Sequence, residues 1–479
     1  MSKSLIKNAG FNVAYKLMDA LFPLVSAAYL ARVLLPAGIG EVSFAQTIAS
    51  YFVLIASLGI PSYGVREIAK AKDQTALNKA FSELLILNAI STLFALLLYS
   101  MFLFSIKDDP SFIVHLVFAL LVFLNFFNLD WLFSGKEEYV FIACRSMAIK
   151  IIMLGFIFMF VRSPSDTAVY ALLLCFGVAG NYLLNLFKLK KIVSVTIRNI
   201  EIVKHVKPVL LLFSTGIIGI LYSKIDITML GMMSGQESVG FYSNGQSILN
   251  TVLQLLTATT AVFLPRLSTL FASNPKKITE LIEKGLKVLL FTGIPLMIGL
   301  ILVSYDGVVV LFGDSFSPSA CVVVLLSPLL LIKGVGDLMC YQVLLAAGKE
   351  KFFLFTGVFA LLANVVLNYF FIPLYYQNGA AVASVVSELI VNTPLFFLSL
   401  RYIKPKISVK FLLSTTLSAF LMVFPSVLLF NVVDNSLLRL PLIIFMSVFV
   451  YCIGVSLSKN EVFYYLLFSL KKKIKSLHK

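Results

Sequence analysis

The sequence predicts an all-α polytopic membrane protein with about fourteen transmembrane helices. These form two parallel six-helix lobes related by pseudo-twofold symmetry, followed by two C-terminal helices. Three observations predict it. Apolar stretches long enough to cross a bilayer fill nearly all of the 479 residues. Basic residues collect in every second connecting segment. A short motif recurs 200 residues later at the same place in its stretch.

A spanning helix needs about 20 mostly apolar residues. In chain order the stretches lie near 11–33, 41–60, 81–104, 112–133, 146–162, 168–187 and 208–231. The rest lie near 240–264, 286–305, 320–345, 352–373, 379–400, 409–430 and 438–457. The fifth is short and could begin earlier, because 144–150 mixes charge with apolar residues.

With the N-terminus placed in the cytoplasm, 32 of the 39 lysines and arginines fall in cytoplasmic segments. The opposite side holds only Arg32, Lys107, Arg162 and Arg439, while Lys16, Lys224 and Lys333 lie inside stretches. Such asymmetry is what the positive-inside rule demands, so both termini are expected in the cytoplasm. The net charge of +16 then belongs to juxtamembrane clusters, each basic residue near an anionic leaflet being worth about 1 kcal/mol. Membrane lipids are the expected partners of that charge, and nucleic acid is not.

Other function classes find no support. Five cysteines sit singly, without disulfide or metal spacing. His115, His205 and His478 are too scattered to form a site. No P-loop, dinucleotide fingerprint or catalytic triad signature is present. The longest outward loop, 306–319, is too short for a catalytic domain. No enzyme, metal or cofactor is expected, and energy must come from a coupling ion (H⁺ or Na⁺), the membrane potential or the cargo gradient. The first stretch is too long for a cleavable signal and carries Lys16 and Asp19. Segments 268–287 and 461–475 could lie on the membrane surface as amphipathic helices.

The repeat sets the domains. Gly40, Ser43, Gln46 and Ile48 open the second stretch, and Gly240, Ser243, Gln246 and Ile248 open the eighth. Gly135-Lys136-Glu137 is echoed by Gly348-Lys349-Glu350. Both echoes match stretch n with n+6, and an even number of helices per unit leaves the halves parallel, with a cavity expected between them. The N-lobe is read as 1–203 including a charged linker, the C-lobe as 204–403, and the appendage and basic tail as 404–479.

A charge at the centre of a spanning helix costs about 2.5–3.5 kcal/mol on insertion scales, so each needs a partner or a purpose. Lys16 and Asp19 share one helix face, Lys224 and Asp226 fall in the seventh stretch, and Lys333 and Asp337 in the tenth. Asp130 and Glu388 are read as the other acids within stretches. Lys333 lies about 20 Å along its helix at 1.5 Å per residue, too deep to snorkel easily. Two roles are open to it: a cargo or gating cation, or an i,i+4 ion pair with Asp337. Lys224 and Lys16 are nearer the helix ends, where a long side chain can reach the headgroups. Asp19 either binds a cation or proton or pairs with Lys16. Asp130, beside the single tryptophan Trp131, either anchors its helix or joins the coupling acids. Pro23, one turn from Asp19, is a candidate hinge.

Four segments resemble a known family. Tyr29–Gly40 (with Arg32, Pro36 and Gly38) resembles the first-span exit of bacterial polysaccharide repeat-unit flippases, often called Wzx-type. These belong to the multidrug/oligosaccharidyl-lipid/polysaccharide exporter superfamily. Asp130–Tyr139 is similar to that family's turn after span four, and Asp226–Gly231 with Glu237–Tyr242 to its span-seven exit. Asn364–Pro373, Gly379–Ser384 and Glu388 resemble its junction of spans eleven and twelve.

The resemblance implies two six-helix lobes that rock about a central, often cationic cavity. It implies a cargo of short oligosaccharide on undecaprenyl pyrophosphate, moved from the inner to the outer leaflet of the bacterial cytoplasmic (inner) membrane. Surface polymers such as O-antigen, lipopolysaccharide or capsule would be the product, with a polysaccharide polymerase and a chain-length regulator as expected protein partners. Arg32, Lys16, Lys224 and Lys333 are the cations available to a pyrophosphate. Asp19, Asp226, Asp337, Glu388 and Asp130 are the candidate coupling or ion-pair acids of an antiporter. Lipid II flippases of the superfamily resemble this chain less, because they carry several arginines in the first two spans and here Arg32 is the only one. An ion-coupled multidrug exporter of the same superfamily is the alternative reading. A membrane polymerase or glycosyltransferase is the alternative from another class.

Overall fold

Helix α1, Lys3–Ser57, contains the first two apolar stretches and is broken at Leu35 (φ 61, ψ 174). The break has a local cause: Pro36 disfavours helical geometry in the residue before it. The computed structural model describes residues 3–190, 192–198, 200–260, 275–349, 351–465 and 467–468. Side chains are described from Pro23 to Thr257 and from Lys277 onward. Among the described residues every long element is a helix and there is no strand.

The chain continues through α2 (Ile60–Lys70), α3 (Gln74–Ser105), α4 (Phe112–Leu124) and α5 (Asp130–Gly135). Helices α6 (Tyr139–Phe160), α7 (Thr167–Leu189), α8 (Val203–Ser234) and α9 (Gln236–Thr260) follow. Gly59 (φ 74) and Pro61 together turn the chain into α2, where Ile60, Tyr63 and Ile68 are buried. The fifth stretch does begin early, at Tyr139, and its polar start is accommodated because Arg145 is buried against Asp130.

The second part of the chain holds α10 (Pro275–Leu302), α11 (Ser304–Phe312), α12 (Ser319–Leu326) and α13 (Leu329–Val335). A π-helical turn, Gly336–Gln342, leads into α14 (Val343–Ala346). Helix α15, Lys351–Ser399, holds stretches eleven and twelve and is interrupted at Tyr376 (φ 50, ψ −130). Gly379 there lies so close to the Phe371 carbonyl that a Cβ would clash. Helices α16 (Val409–Phe420), α17 (Val423–Val432) and α18 (Ser436–Leu457) complete the chain. All fourteen stretches therefore lie on helices, the eighth being described as far as Thr260.

By contact the chain divides into Met1–Ser243 and Asn244–Lys479. The first unit has one core around Trp131, Phe81, Tyr63 and Leu84, and another around Tyr99, Phe118, Ala95 and Cys175. In lipid, helices associate by close packing and interhelical hydrogen bonds more than by expulsion of water. The second unit packs Ile278, Ile282, Leu289, Met339 and Leu395 together, and Phe291, Ile298, Phe411 and Tyr451 in a second cluster.

Two features differ from the sequence reading. Residues 275–287 open the continuous helix α10, and Ile278, Ile282 and Leu286 are buried in a protein core. Asp306 does not lie in a solvated outward loop: it is on α11 and fully buried, where it meets Arg439 of α18. The seventh stretch, α8, packs against α1 in the first unit: Phe44 fills the surface over Gly231, and Tyr51 Oη lies 2.7 Å from Thr228 Oγ1.

Candidate functional site

The second unit builds its polar site around Lys333. Its Nζ lies 3.7 Å from Glu388 Oε2 on α15, with 37% of the lysine side chain exposed and 14% of the glutamate. Asn392 donates to the Glu388 carboxylate (3.1 Å) and to its backbone carbonyl (2.9 Å). Asn392 also presses on Gly336, where a Cβ would overlap its side-chain oxygen. Gly336 thus lets α15 approach the π-helical turn that directly follows α13.

That turn redirects Asp337. In an α-helix Lys333 and Asp337 would share a face, but a π turn stacks residues five apart. Gln342 accordingly donates to Asp337 Oδ2 at 2.9 Å, across five positions. Lys333 thus reaches across to Glu388 on α15 while Asp337 is bonded by Gln342. π-Helical turns concentrate at functional sites.

In the first unit, Asp226 is buried and accepts from Tyr242 Oη at 2.7 Å. Lys224 is half-buried, and no carboxylate of the described residues lies within ion-pair distance of it. Arg32 is exposed near the end of the first half of α1, three residues before the break at Leu35. Lys16 and Asp19 lie outside the residues whose side chains are described. Pro23 is exposed within α1, whose non-helical residue is Leu35, twelve positions on. The structure therefore brings Lys333 and Glu388 together, and leaves Arg32, Lys224 and Asp226 in the other unit.

Asp130 is held structurally. Arg145 donates to it from Nη2 at 3.1 Å, and Asn185 donates to its other oxygen at 2.7 Å. Asn181 accepts from Arg145 Nε at 3.1 Å, and Asn185 accepts from Nη1. The arginine side chain is 3% exposed. These contacts tie α5, α6 and α7 into one corner.

Sequence reasoning missed a second cluster in this unit. Glu83 sits only two residues inside the third stretch yet escaped the reading of in-span acids. It is 1% exposed and faces His205 Nε2 at 2.8 Å. A count of every acid within the apolar stretches would have found it, but nothing in the sequence links it to His205.

An apolar groove of about 520 Å³ completes the second unit's surface. Phe291, Pro295 and Gly299 of α10 form one wall, and Met422, Val448 and Tyr451 of the C-terminal helices form the other. Tyr451 Oη donates to the Phe291 carbonyl at 2.7 Å, which closes the base. Such a groove suits an extended hydrocarbon chain and offers nothing for a sugar. Among the described residues no group of acidic, histidine and cysteine side chains could hold a metal.

Comparison with known proteins places these features in a family. Residues 5–271 match the model of a family described as polysaccharide biosynthesis protein. A protein named as an O-antigen transporter in Escherichia coli (strain K12) is 25% identical over 399 residues, covering 81% of this chain and 95% of that one. Among solved structures, the lipid II flippase MurJ in an inward closed conformation is similar with a TM-score of 0.78 at 16% identity. It covers 96% of this chain and 99% of its own. An inward-facing multidrug resistance transporter of the MATE family and MOP superfamily is similar at TM-score 0.61 and 15% identity, over 82% of this chain and 97% of its own. At these identities the two structures speak for the fold alone. They bear out the all-helical two-lobe architecture, and the family match bears out the resemblance drawn from the four segments.

Proposed function

Because the chain belongs to the polysaccharide biosynthesis protein family, we propose that it is a flippase for a lipid-linked oligosaccharide. The cargo is a repeat unit on undecaprenyl pyrophosphate, carried from the inner to the outer leaflet of the cytoplasmic membrane. The observation that carries this reading is Lys333, a lysine deep in a spanning segment whose one described carboxylate contact is long and partly exposed. A pyrophosphate can replace Glu388 at that ammonium, because a charge-assisted contact near 2.8 Å is stronger than one at 3.7 Å.

Lys224 and Arg32 are further cations for the headgroup. The groove between α10 and the C-terminal helices is where the polyprenyl chain lies, while the headgroup follows the polar residues. Alternation of access, with both termini cytoplasmic, exposes the headgroup first to one side and then to the other. Proton or Na⁺ movement through the intramembrane acids supplies the energy. A polymerase and a chain-length regulator consume the product on the far side.

A transporter rather than an enzyme is supported by the relatives, which are named as a transporter and a flippase. The scarcity of arginine in the first two stretches supports a sugar repeat unit over a peptidoglycan precursor. The test is deletion of the gene followed by analysis of surface polymer and lipid-linked intermediates. Loss of polymer, with repeat units retained on undecaprenyl pyrophosphate at the inner leaflet, is the expected result. Unchanged polymer with raised sensitivity to cationic drugs would favour an exporter instead.

A further inference from the structure

Glu83, His205 and Tyr63 form a buried cluster that the transport reading leaves unused. Glu83 (α3) and His205 (α8) are each 1% exposed, and Tyr63 (α2) is 9% exposed. Glu83 Oε2 is 2.8 Å from His205 Nε2, and His205 Nδ1 is 2.9 Å from Tyr63 Oη. The carboxylate also accepts from the Glu201 backbone N–H at 2.8 Å and from Lys204 Nζ at 3.0 Å. Lys79 Nζ stands 3.9 Å away.

This geometry fixes the proton chemistry. An ionised carboxylate only accepts, so Nε2 carries the hydrogen that points at Glu83. In the neutral ring Nδ1 then accepts from the Tyr63 hydroxyl. In the imidazolium Nδ1–H donates to the same oxygen, because a phenol hydroxyl can turn and accept. His205 therefore takes a second proton without losing a hydrogen bond. We propose that His205 is a proton-binding site of this protein, and that its occupancy controls how the 192–204 linker is held on α3.

The surrounding charges say which way the control runs. Arg66, Glu67 and Lys70 come from α2 beside Tyr63, and Lys79 and Glu83 from α3. Glu201 comes from the linker and Lys204 from the start of α8, paired with each other at 3.3 Å. With the ring neutral, Glu83 and Glu201 balance Lys79 and Lys204. A proton on His205 adds a cation that competes with Lys204 for one carboxylate. The lysine side chain is 46% exposed and can withdraw to water, whereas the imidazole cannot.

Lys204 holds the end of a line of ties. Gln74 donates to the Ile192 carbonyl at 2.8 Å, the Ser194 N–H to Asn78 at 3.0 Å, and the Thr196 N–H to Ser82 at 2.8 Å. Protonation of His205 thus loosens the linker at Glu83, where the last tie is made. A part for this release in the transport cycle rests on the flippase reading; the proton site itself does not.

The test uses the full chain in lipid nanodiscs, with protons as the only ligand. The chain has three histidines, so ¹⁵N-imidazole signals can be assigned with His205→Gln. Trp131 is the single tryptophan and stacks on Phe81 of α3 at 5.7 Å, so its emission reports on this corner. Both His205 nitrogen signals should move together as the ring takes its second proton, and Trp131 emission should follow the same transition. Lys204→Gln removes the competing cation and should raise the midpoint. Glu83→Gln removes the carboxylate that favours the imidazolium and should lower it. An imidazole that holds one state throughout the titration would overturn the proposal. So would a Trp131 titration that persists in His205→Gln, or a midpoint that Lys204→Gln leaves in place. None of these readings needs cargo, so a failed transport assay leaves them intact and a failed titration leaves the flippase reading intact.

Discussion

Gly40 and Gly240 occupy equivalent places in the internal repeat and make mirrored contacts. Gly40 lies against the carbonyl of Gln236, and Gly240 lies against the carbonyl of Pro36, so that a Cβ on either would clash with backbone. Each partner is the other's equivalent, 200 residues away. The two copies of the motif that announced the repeat therefore meet inside the first unit, where small residues let two backbones approach.

Gly40→Ala and Gly240→Ala should each destabilise the protein by about 1–3 kcal/mol, the usual effect of overpacking. The two losses should be similar, because the contacts are equivalent. Thermal unfolding in detergent, with Gly307→Ala as a control facing open space, checks this. Tolerance of either substitution at wild-type stability would remove the close approach.

Asp306 and Arg439 tie α18 to α11 within the second unit. Arg439 donates from Nε at 2.8 Å and from Nη2 at 2.6 Å to the two carboxylate oxygens, with Asp306 fully buried. The guanidinium also covers the Phe430 ring at 3.9 Å and donates to the Val433 carbonyl. Arg439→Met leaves a buried carboxylate without its cation and should cost about 3–5 kcal/mol. The double variant Asp306→Leu with Arg439→Met should recover most of that loss. A double variant no more stable than Arg439→Met would mean that the pair is not the cause.

The contrast between these pairs shows what the sequence could and could not convey. Apolar runs and basic segments are local signals, so the fourteen stretches, their order and the repeat were legible before any coordinates. The break at Leu35 follows from the adjacent Pro36, and Gly379 allows the close backbone approach beside the break at Tyr376. Ion pairs are different. Asp306 and Arg439 are 133 positions apart, and Glu83 and His205 are 122 apart; each looks like a loop or interfacial charge on its own. The pairing of Lys333 with Glu388 joins two different helices, and the π turn that redirects Asp337 has no local signal in charge or hydropathy. The linker was read as a charged connector, yet it is tied along α3 by hydrogen bonds to Asn78, Ser82 and Glu83.

Arg145 should prove structural. Its side chain is buried against Asp130, Asn181 and Asn185, three acceptors on two neighbouring helices. Asn185 is fully buried and bridges the arginine and the aspartate. Arg145→Met should lower the amount of folded protein, and Asp130→Asn should do so less, because Asp130 is 40% exposed and an amide still accepts from Arg145. Fluorescence-detected size exclusion reads both. Full expression of Arg145→Met with loss of transport would instead place Arg145 on the cargo path.

Lys333 should behave in the opposite way. It is partly exposed and held by one long contact to Glu388, so removing it leaves a carboxylate that retains its bond from Asn392. Lys333→Ala should therefore keep near-normal protein levels while polymer export falls. The loss of one charge-assisted contact to a phosphate is worth about 1.5–3 kcal/mol, roughly a ten- to hundred-fold fall in rate. Glu388→Gln frees the lysine and should change how export depends on the ion gradient more than it changes cargo binding. Asp337→Asn should be mild in both respects, since its described contact is a hydrogen bond from Gln342 that an amide oxygen can also accept. The measurement is surface polymer against protein abundance in a deletion strain carrying each variant. Export at wild-type level in Lys333→Ala would move the headgroup site away from the π-helical turn, with Lys224 and Arg32 next to be tested.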